Sequence, residues 1–415
     1  MRGVNPSENA SAMRLVVVLC GAQVLVQIGA FFWPALLPRL MPLWGLSNSE
    51  AGWITAAFYG AYMLAVPILV TATDRIDPKR IYLFGVALTI VGHLAFAELA
   101  QGFWSALICR VVIGVGWAGT YMTGLKLLAD RVDPRTMSRA AAGHAASIGV
   151  SGALSFATGE WLAVAYGWPS AFAVAGMCAA VGWIAIAVSV PAQRAMGKPA
   201  GTSSSFADFR SVFRNRSAMA YAFGYAIHTL EMSALRGWAV AFLAWVAVST
   251  GTKDSVISPA VLVTTLGLIG TFSSVIGNEC SIRWGRSHLI QVAMGASIVI
   301  GAAIGFVGSL SYTLAAVMIV IYGLVIWLDS SSLTAGTAGT AEPGRRGATL
   351  AVHSMLGYAG GFMGPLIVGW TLDLNGGASQ LGWGISFAVV AILMLIALIV
   401  FRYLRPKDLP GDMGT

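Results

Sequence analysis

The stretch Tyr221–Trp238, YAFGYAIHTLEMSALRGW, puts His228, Glu231 and Arg236 inside a run long and apolar enough to cross a membrane. A charged side chain near the bilayer centre costs about 2.5–3.5 kcal/mol on insertion scales, so it faces a partner or a wet cavity rather than lipid. Tyr221, Tyr225, His228 and Glu231 recur at helical spacing and share one polar, aromatic stripe. Arg236 falls roughly 140° around the helix from Glu231, too far for a pair on a regular helix. Either the helix breaks at Arg236-Gly237, or each charge answers to a group on another segment.

The rest of the chain makes the same demand. Its 415 residues are 57% hydrophobic and 10% charged, where soluble domains carry about 25% charged residues. Composition therefore excludes a soluble protein and specifies an all-α integral membrane protein. Runs of about 20 apolar residues between short polar turns mark the spans. Twelve are predicted, over 14–38, 50–71, 80–99, 104–128, 139–163, 169–190, 217–246, 257–280, 288–308, 312–338, 348–371 and 382–403. Pro191–Arg216, with Gly-Thr-Ser-Ser-Ser at 201–205, is the longest polar connection and reads as a linker between 1–190 and 217–415. Its second part, Phe206–Arg216, reads as a short amphipathic helix on the membrane surface.

The net charge of +8 is a topology signal, not a nucleic-acid one. With the N-terminus inside, most Lys and Arg fall in cytoplasmic loops, whereas Arg39 and Lys253 fall outside. That bias places both termini in the cytoplasm, and the expected location is a bacterial inner membrane. Cys20, Cys109, Cys178 and Cys280 lie in apolar runs without metal spacing, so neither a metal nor a cofactor is expected. The chain lacks G-x-x-x-x-G-K-[ST], G-x-S-x-G and H-E-x-x-H, which leaves no motif for a nucleotide-driven pump or a soluble enzyme.

The two halves repeat. Gly167-Trp168-x-x-x-Phe172 at span six recurs as Gly382-Trp383-x-x-x-Phe387 at span twelve. Gly149, Gly152 and Gly159 match Gly361, Gly364 and Gly369. Parallel six-span repeats are an architecture of secondary transporters, with the solute site near the midplane between repeats. The loop after span two is Asp74-Arg75-Ile76-Asp77-Pro78-Lys79-Arg80, and that after span eight runs from Gly277 to Gly285-Arg286. Span four carries Arg110-x-x-x-Gly114-x-Gly116. In these features the chain resembles the major facilitator superfamily, whose pattern after span two is G-x-x-x-D-R-x-G-R-R. The first loop keeps the Asp-Arg start and loses both glycines; the second keeps the glycines and loses the acid. The resemblance implies two pseudo-symmetric six-helix bundles that work by alternating access. The G-P-x-x-G-G pattern of proton-coupled drug antiporters is missing from span five, which has Gly149-Val150-Ser151-Gly152. Span seven is similar to that of members such as cyanate and other small-anion permeases.

Candidate residues follow from charge and spacing. Arg110, Gly114, Trp117 and Tyr121 step along one helical face of span four. Arg110 either grips an anion or is tied to backbone carbonyls. Gln23 and Gln27 stack on one face of span one and suit hydrogen bonding to a polar solute. Arg110, Arg236, Gln23, Gln27, Tyr121, Tyr225, His228 and Trp117 are the expected solute contacts. Glu231 and Asp329 are the expected proton carriers, and Asp74, Arg75, Arg283 and Arg286 the expected cytoplasmic gate. The function this implies is secondary active transport of a small, carboxylate-like anion, coupled to protons or to another solute. A proton-coupled exporter of drugs or lipophilic cations is the alternative, and a non-transporting receptor on the same fold is the third. The expected partners are the bilayer, a small solute and protons, with the chain a monomer.

Overall fold

In the computed structural model the described residues are 6–193, 209–252 and 257–412, and among them every regular element is helical. That outcome follows from the solvent, because a helix satisfies its own backbone where no water can. The twelve spans are Met13–Trp44, Asn48–Ala72, Pro78–Leu99, Phe103–Ala129, Arg139–Tyr166, Trp168–Ser189, Arg216–Ser249, Pro259–Trp284, Arg286–Leu310, Tyr312–Gly339, Arg346–Leu374 and Gln380–Leu404. They are called spans one to twelve below. Span one runs further than its hydropathy window, to Trp44, despite Pro38 and Pro42 in its last turns.

Local chemistry sets several of the ends. Asp77 caps span three, its Oδ1 accepting the Lys79 N–H at 3.0 Å, with Pro78 in the first turn. Asn215 caps span seven through the Ala218 N–H, and Ser379 caps span twelve through the Gly382 N–H. Of the stretch 206–216, the described part forms a short helix, Arg210–Arg214, ended by Asn215; residues 206–208 lie outside the described residues.

Three spans are interrupted. Span one consists of Pro6–Gln27 and Phe32–Trp44. Pro34 has no N–H to offer Ala30, so the Ala30 carbonyl is released from the helix ladder. Arg110 Nη1 donates to that carbonyl at 3.0 Å, and the Phe31 N–H donates to Ser155 Oγ at 2.9 Å. Span four divides into Phe103–Ala118 and Tyr121–Ala129, and span ten into Tyr312–Leu328 and Ser330–Gly339. Span seven, by contrast, is one helix, Arg216–Ser249.

The contacts group the chain into two units. One joins 1–36 with 60–202, and the other joins 37–59 with 203–415. Segment 37–59, from spans one and two, thus packs with the later spans. Within the second unit, span seven lies most extensively against span eleven. Their approach depends on glycine, since a Cβ on Gly360 would sit 1.9 Å from the Ala226 carbonyl oxygen.

Candidate functional site

In the second unit Glu231 is 1% exposed. Ser297 of span nine and Tyr322 of span ten both donate to its Oε1, the tyrosine at 2.7 Å. Three spans therefore meet on one carboxyl, and these two partners are neutral hydroxyls. One turn earlier, His228 Nδ1 lies 2.9 Å from Asp329 Oδ1. The contact is close but off the line of a hydrogen bond, and the buried His228 Nε2 has no hydrogen-bond partner. Asp329 occupies the joint between the two helices of span ten, which is why its side chain reaches span seven.

The Tyr225 ring stacks on His228, centroids 5.7 Å apart, and more closely on His353 at 3.9 Å. His353 in turn contacts Thr334 through Nε2 at 3.2 Å and Thr337 through Nδ1 at 3.1 Å. Arg236 is half-buried, with its guanidinium 4.8 Å over the Trp327 ring. Of the two options open for Tyr221–Trp238, the continuous helix leaves the second: Glu231 and Arg236 answer to different neighbours on span ten. Tyr221 belongs to neither group, since its hydroxyl donates to the Lys407 carbonyl at 2.9 Å.

The first unit holds Arg110, 1% exposed, on the Ala30 carbonyl. Beside the same break, a Cβ on Gly29 would lie 2.5 Å from the His93 ring, so glycine admits that imidazole. Gln23 Oε1 accepts the Tyr82 hydroxyl at 2.9 Å, while Gln23 Nε2, Gln27 Nε2 and both His93 ring nitrogens are buried without hydrogen-bond partners. Trp117 packs on Tyr62 at 4.8 Å. Tyr121 stacks on His144, whose Nε2 lies 2.9 Å from the Tyr121 carbonyl oxygen. The stripe expected to run from Arg110 to Tyr121 is not continuous, because the helix stops at Ala118 and restarts at Tyr121.

Asp77, three residues past Asp74, is the buried acid. It accepts from Arg131 Nη2 at 3.0 Å and from the Gln193 N–H at 2.8 Å. Burial alone raises the Asp77 carboxyl, but the N–H groups of Gln193 and Lys79 and the Arg131 guanidinium outweigh it and hold it below the ordinary carboxylate value. Arg75 is exposed, and Arg283 pairs with Glu279 on an exposed helix face. Arg286 is 3% exposed and bound to Asp412. Sequence reading missed Ser297, Tyr322, Asp77, Arg131 and Asp412. Tyr322 stands two turns before Asp329 and Asp77 directly precedes Pro78 as a helix-start pair, signals that could have found both; Ser297, Arg131 and Asp412 carry no signal in their own stretches.

Comparison with known proteins adds the family. The family model of the Major Facilitator Superfamily matches residues 19–365. The chain is 26% identical over 250 residues to protein spinster homolog 1 of Homo sapiens, a match covering 58% of this chain and 47% of that protein. It thus spans about half the length of that relative. It is 21% identical over 388 residues to the MFS-type transporter YbcL of Bacillus subtilis (strain 168), covering 92% of this chain and 95% of that one. Among solved structures, a bacterial homolog to the human lysosomal transporter Spinster, inward-facing and occupied, aligns with TM-score 0.79 at 16% identity over 97% of both chains. The nucleoside transporter NupG aligns with TM-score 0.73 at 13% identity, over 95% of this chain and 100% of that one.

Proposed function

The chain belongs to the Major Facilitator Superfamily, and on that premise we propose that this secondary transporter moves a small, carboxylate-like anion by alternating access, with protons as the coupling ion. The observation that carries the reading is Glu231, buried and held by the hydroxyls of Ser297 and Tyr322. A hydroxyl can donate to a carboxylate or accept from a carboxylic acid, so this carboxyl can change protonation state without losing its partners. His228 and Asp329 form a second titratable pair one turn away.

The anionic character rests on the arginines. Arg236 keeps part of its surface and is braced on Trp327, an arrangement that presents a planar guanidinium to a planar carboxylate. Arg110 is already engaged with the Ala30 carbonyl, and its part is to fix the interruption of span one. Gln27 and His93 line that interruption with polar atoms and extend the solute contacts. The cytoplasmic position of both termini and a bacterial inner-membrane location belong to the same proposal, on the distribution of Lys and Arg.

The test is flux into proteoliposomes with a panel of small carboxylates, inorganic anions and cationic dyes, with and without an imposed pH gradient. The expected result is carboxylate uptake driven by the gradient and lost in Arg236→Ala. Gradient-driven dye movement with no carboxylate uptake would overturn the anion reading in favour of the cation exporter.

A further inference from the structure

The chain does not stop at span twelve. Arg405 ends that helix in the left-handed region at φ 49°, and the segment after it turns back over the second unit. We propose that residues 405–412 form a detachable latch: Asp412 supplies the aspartate that the loop after span eight lacks, and the segment clamps the C-terminal helix of span ten, Ser330–Gly339, against movement about its joint at Asp329.

The first unit supplies the comparison. There the acid beside the basic loop is local: Asp77 accepts from Arg131 and caps span three. The loop after span eight offers no aspartate at the corresponding place, yet Arg286 needs one, being 3% exposed. A buried guanidinium without an anion or full hydrogen bonding is costly. Asp412, 126 residues along the chain, meets it with two parallel bonds, Nε to Oδ2 and Nη2 to Oδ1, both 3.0 Å. Nη1 of the same arginine donates to Asn278 Oδ1 at 3.1 Å and to the Ser332 carbonyl at 3.4 Å. Arg286 thereby joins the tail, span eight and the C-terminal helix of span ten in a single cluster.

Other contacts complete the clamp. Asp408 Oδ1 accepts the Ser287 N–H in the first turn of span nine at 2.6 Å. The Lys407 N–H donates to Ser217 Oγ at 3.1 Å, and the Lys407 carbonyl takes the Tyr221 hydroxyl. Leu409 lies over Gly339, where a Cβ would come within 2.5 Å of its methyl group. The helix held in this way carries Thr334 and Thr337, the partners of His353, which stacks on Tyr225. Release of the latch would therefore reach the polar cluster of the second unit by way of His353.

The latch is detachable because it is a short segment without a span of its own, held by the buried Arg286–Asp412 pair, by Leu409 and by a few hydrogen bonds from 407 and 408. It stands apart from the identity of the solute, so a failed flux assay leaves it intact. Hydrogen–deuterium exchange of the full chain in nanodiscs tests it, comparing wild type with Asp412→Asn. Amides of 331–339 are expected to exchange about tenfold faster in the variant, as a local opening. Amides of 121–129, the second helix of span four, and of 234–246 in continuous span seven, beyond the residues the tail touches, are expected to keep their rates. Leu409→Ala keeps every charge and is expected to speed the same segment about threefold. Unchanged exchange over 331–339 in both variants would overturn the proposal. So would equal acceleration in all three segments, which would mean that the tail is general packing.

Discussion

Arg110 in the first unit and Glu231 in the second are each 1% exposed, yet they are held by different kinds of partner. Arg110 binds a backbone carbonyl that Pro34 has set free, an acceptor with no proton to exchange. Glu231 is held by two side-chain hydroxyls and sits one turn from a histidine–aspartate pair, all groups that can exchange protons. A cation tied to backbone is a fixture. An acid tied to hydroxyls can act as a switch. On the proposed function, the difference gives the first unit a part in shape and the second a part in coupling.

That contrast can be attacked at several points. The largest effect is expected from Glu231→Gln, in which gradient-driven uptake falls on the order of 100-fold, the scale lost with a proton-transfer group. Solute counterflow without a pH gradient should survive. Undiminished accumulation by this variant would remove the switch from the second unit. Arg110→Met is expected to cost about 2–3 kcal/mol of stability, the range for losing a charged hydrogen bond to a buried acceptor. A thermal midpoint unchanged from wild type in detergent would show that the fixture is dispensable.

Next comes the pair outside the spans. The Asp77 carboxyl is held below its ordinary value in the folded chain, so its contribution is present above about pH 3.9 and is lost as pH falls through the lower folded value. Arg131→Ala is expected to lower stability at neutral pH by about 1.5–2 kcal/mol and to flatten the acid limb of a plot of thermal midpoint against pH. An acid limb as steep as in wild type would place the titrating group elsewhere. Tyr322→Phe removes one of two hydroxyls from Glu231 and is expected to slow uptake about fivefold, equivalent to about 1 kcal/mol. Arg283→Ala, at an exposed pair, should change stability by about 0.5 kcal/mol or less. A larger loss there would mean that the loop after span eight depends on more than Arg286.

The spans could be read from hydropathy because lipid leaves the backbone a helix or a closed barrel, and the periodicity of this chain is not that of a barrel. The charges of span seven were equally plain, since Glu231 and Arg236 have nowhere apolar to go without partners. The identity of those partners was not readable. Ser297 and Tyr322 are ordinary residues within apolar spans, and only packing brings them to Glu231. The interruption of span four sits at Gly119-Thr120, inside a run long enough to be read as one span, so the face shared by Arg110 and Tyr121 looked continuous. The Arg286–Asp412 pair joins positions too distant in sequence for any spacing rule. Local patterns therefore gave the elements and their exposed faces, while pairings set by tertiary packing had to be seen.

Asp373, at the end of span eleven, accepts hydrogen bonds from the N–H groups of Asn48 and Ser49 and from the Asn48 amide. It thereby caps the first turn of span two from 325 residues away. During synthesis the early spans leave the ribosome first, so the Asn48 and Ser49 N–H groups of span two wait for this carboxylate until span eleven has been made. Span eleven finishes the start of span two. A fragment ending in the central linker is expected to leave 37–59 without the surface it packs on, and coexpression of the two fragments to restore it.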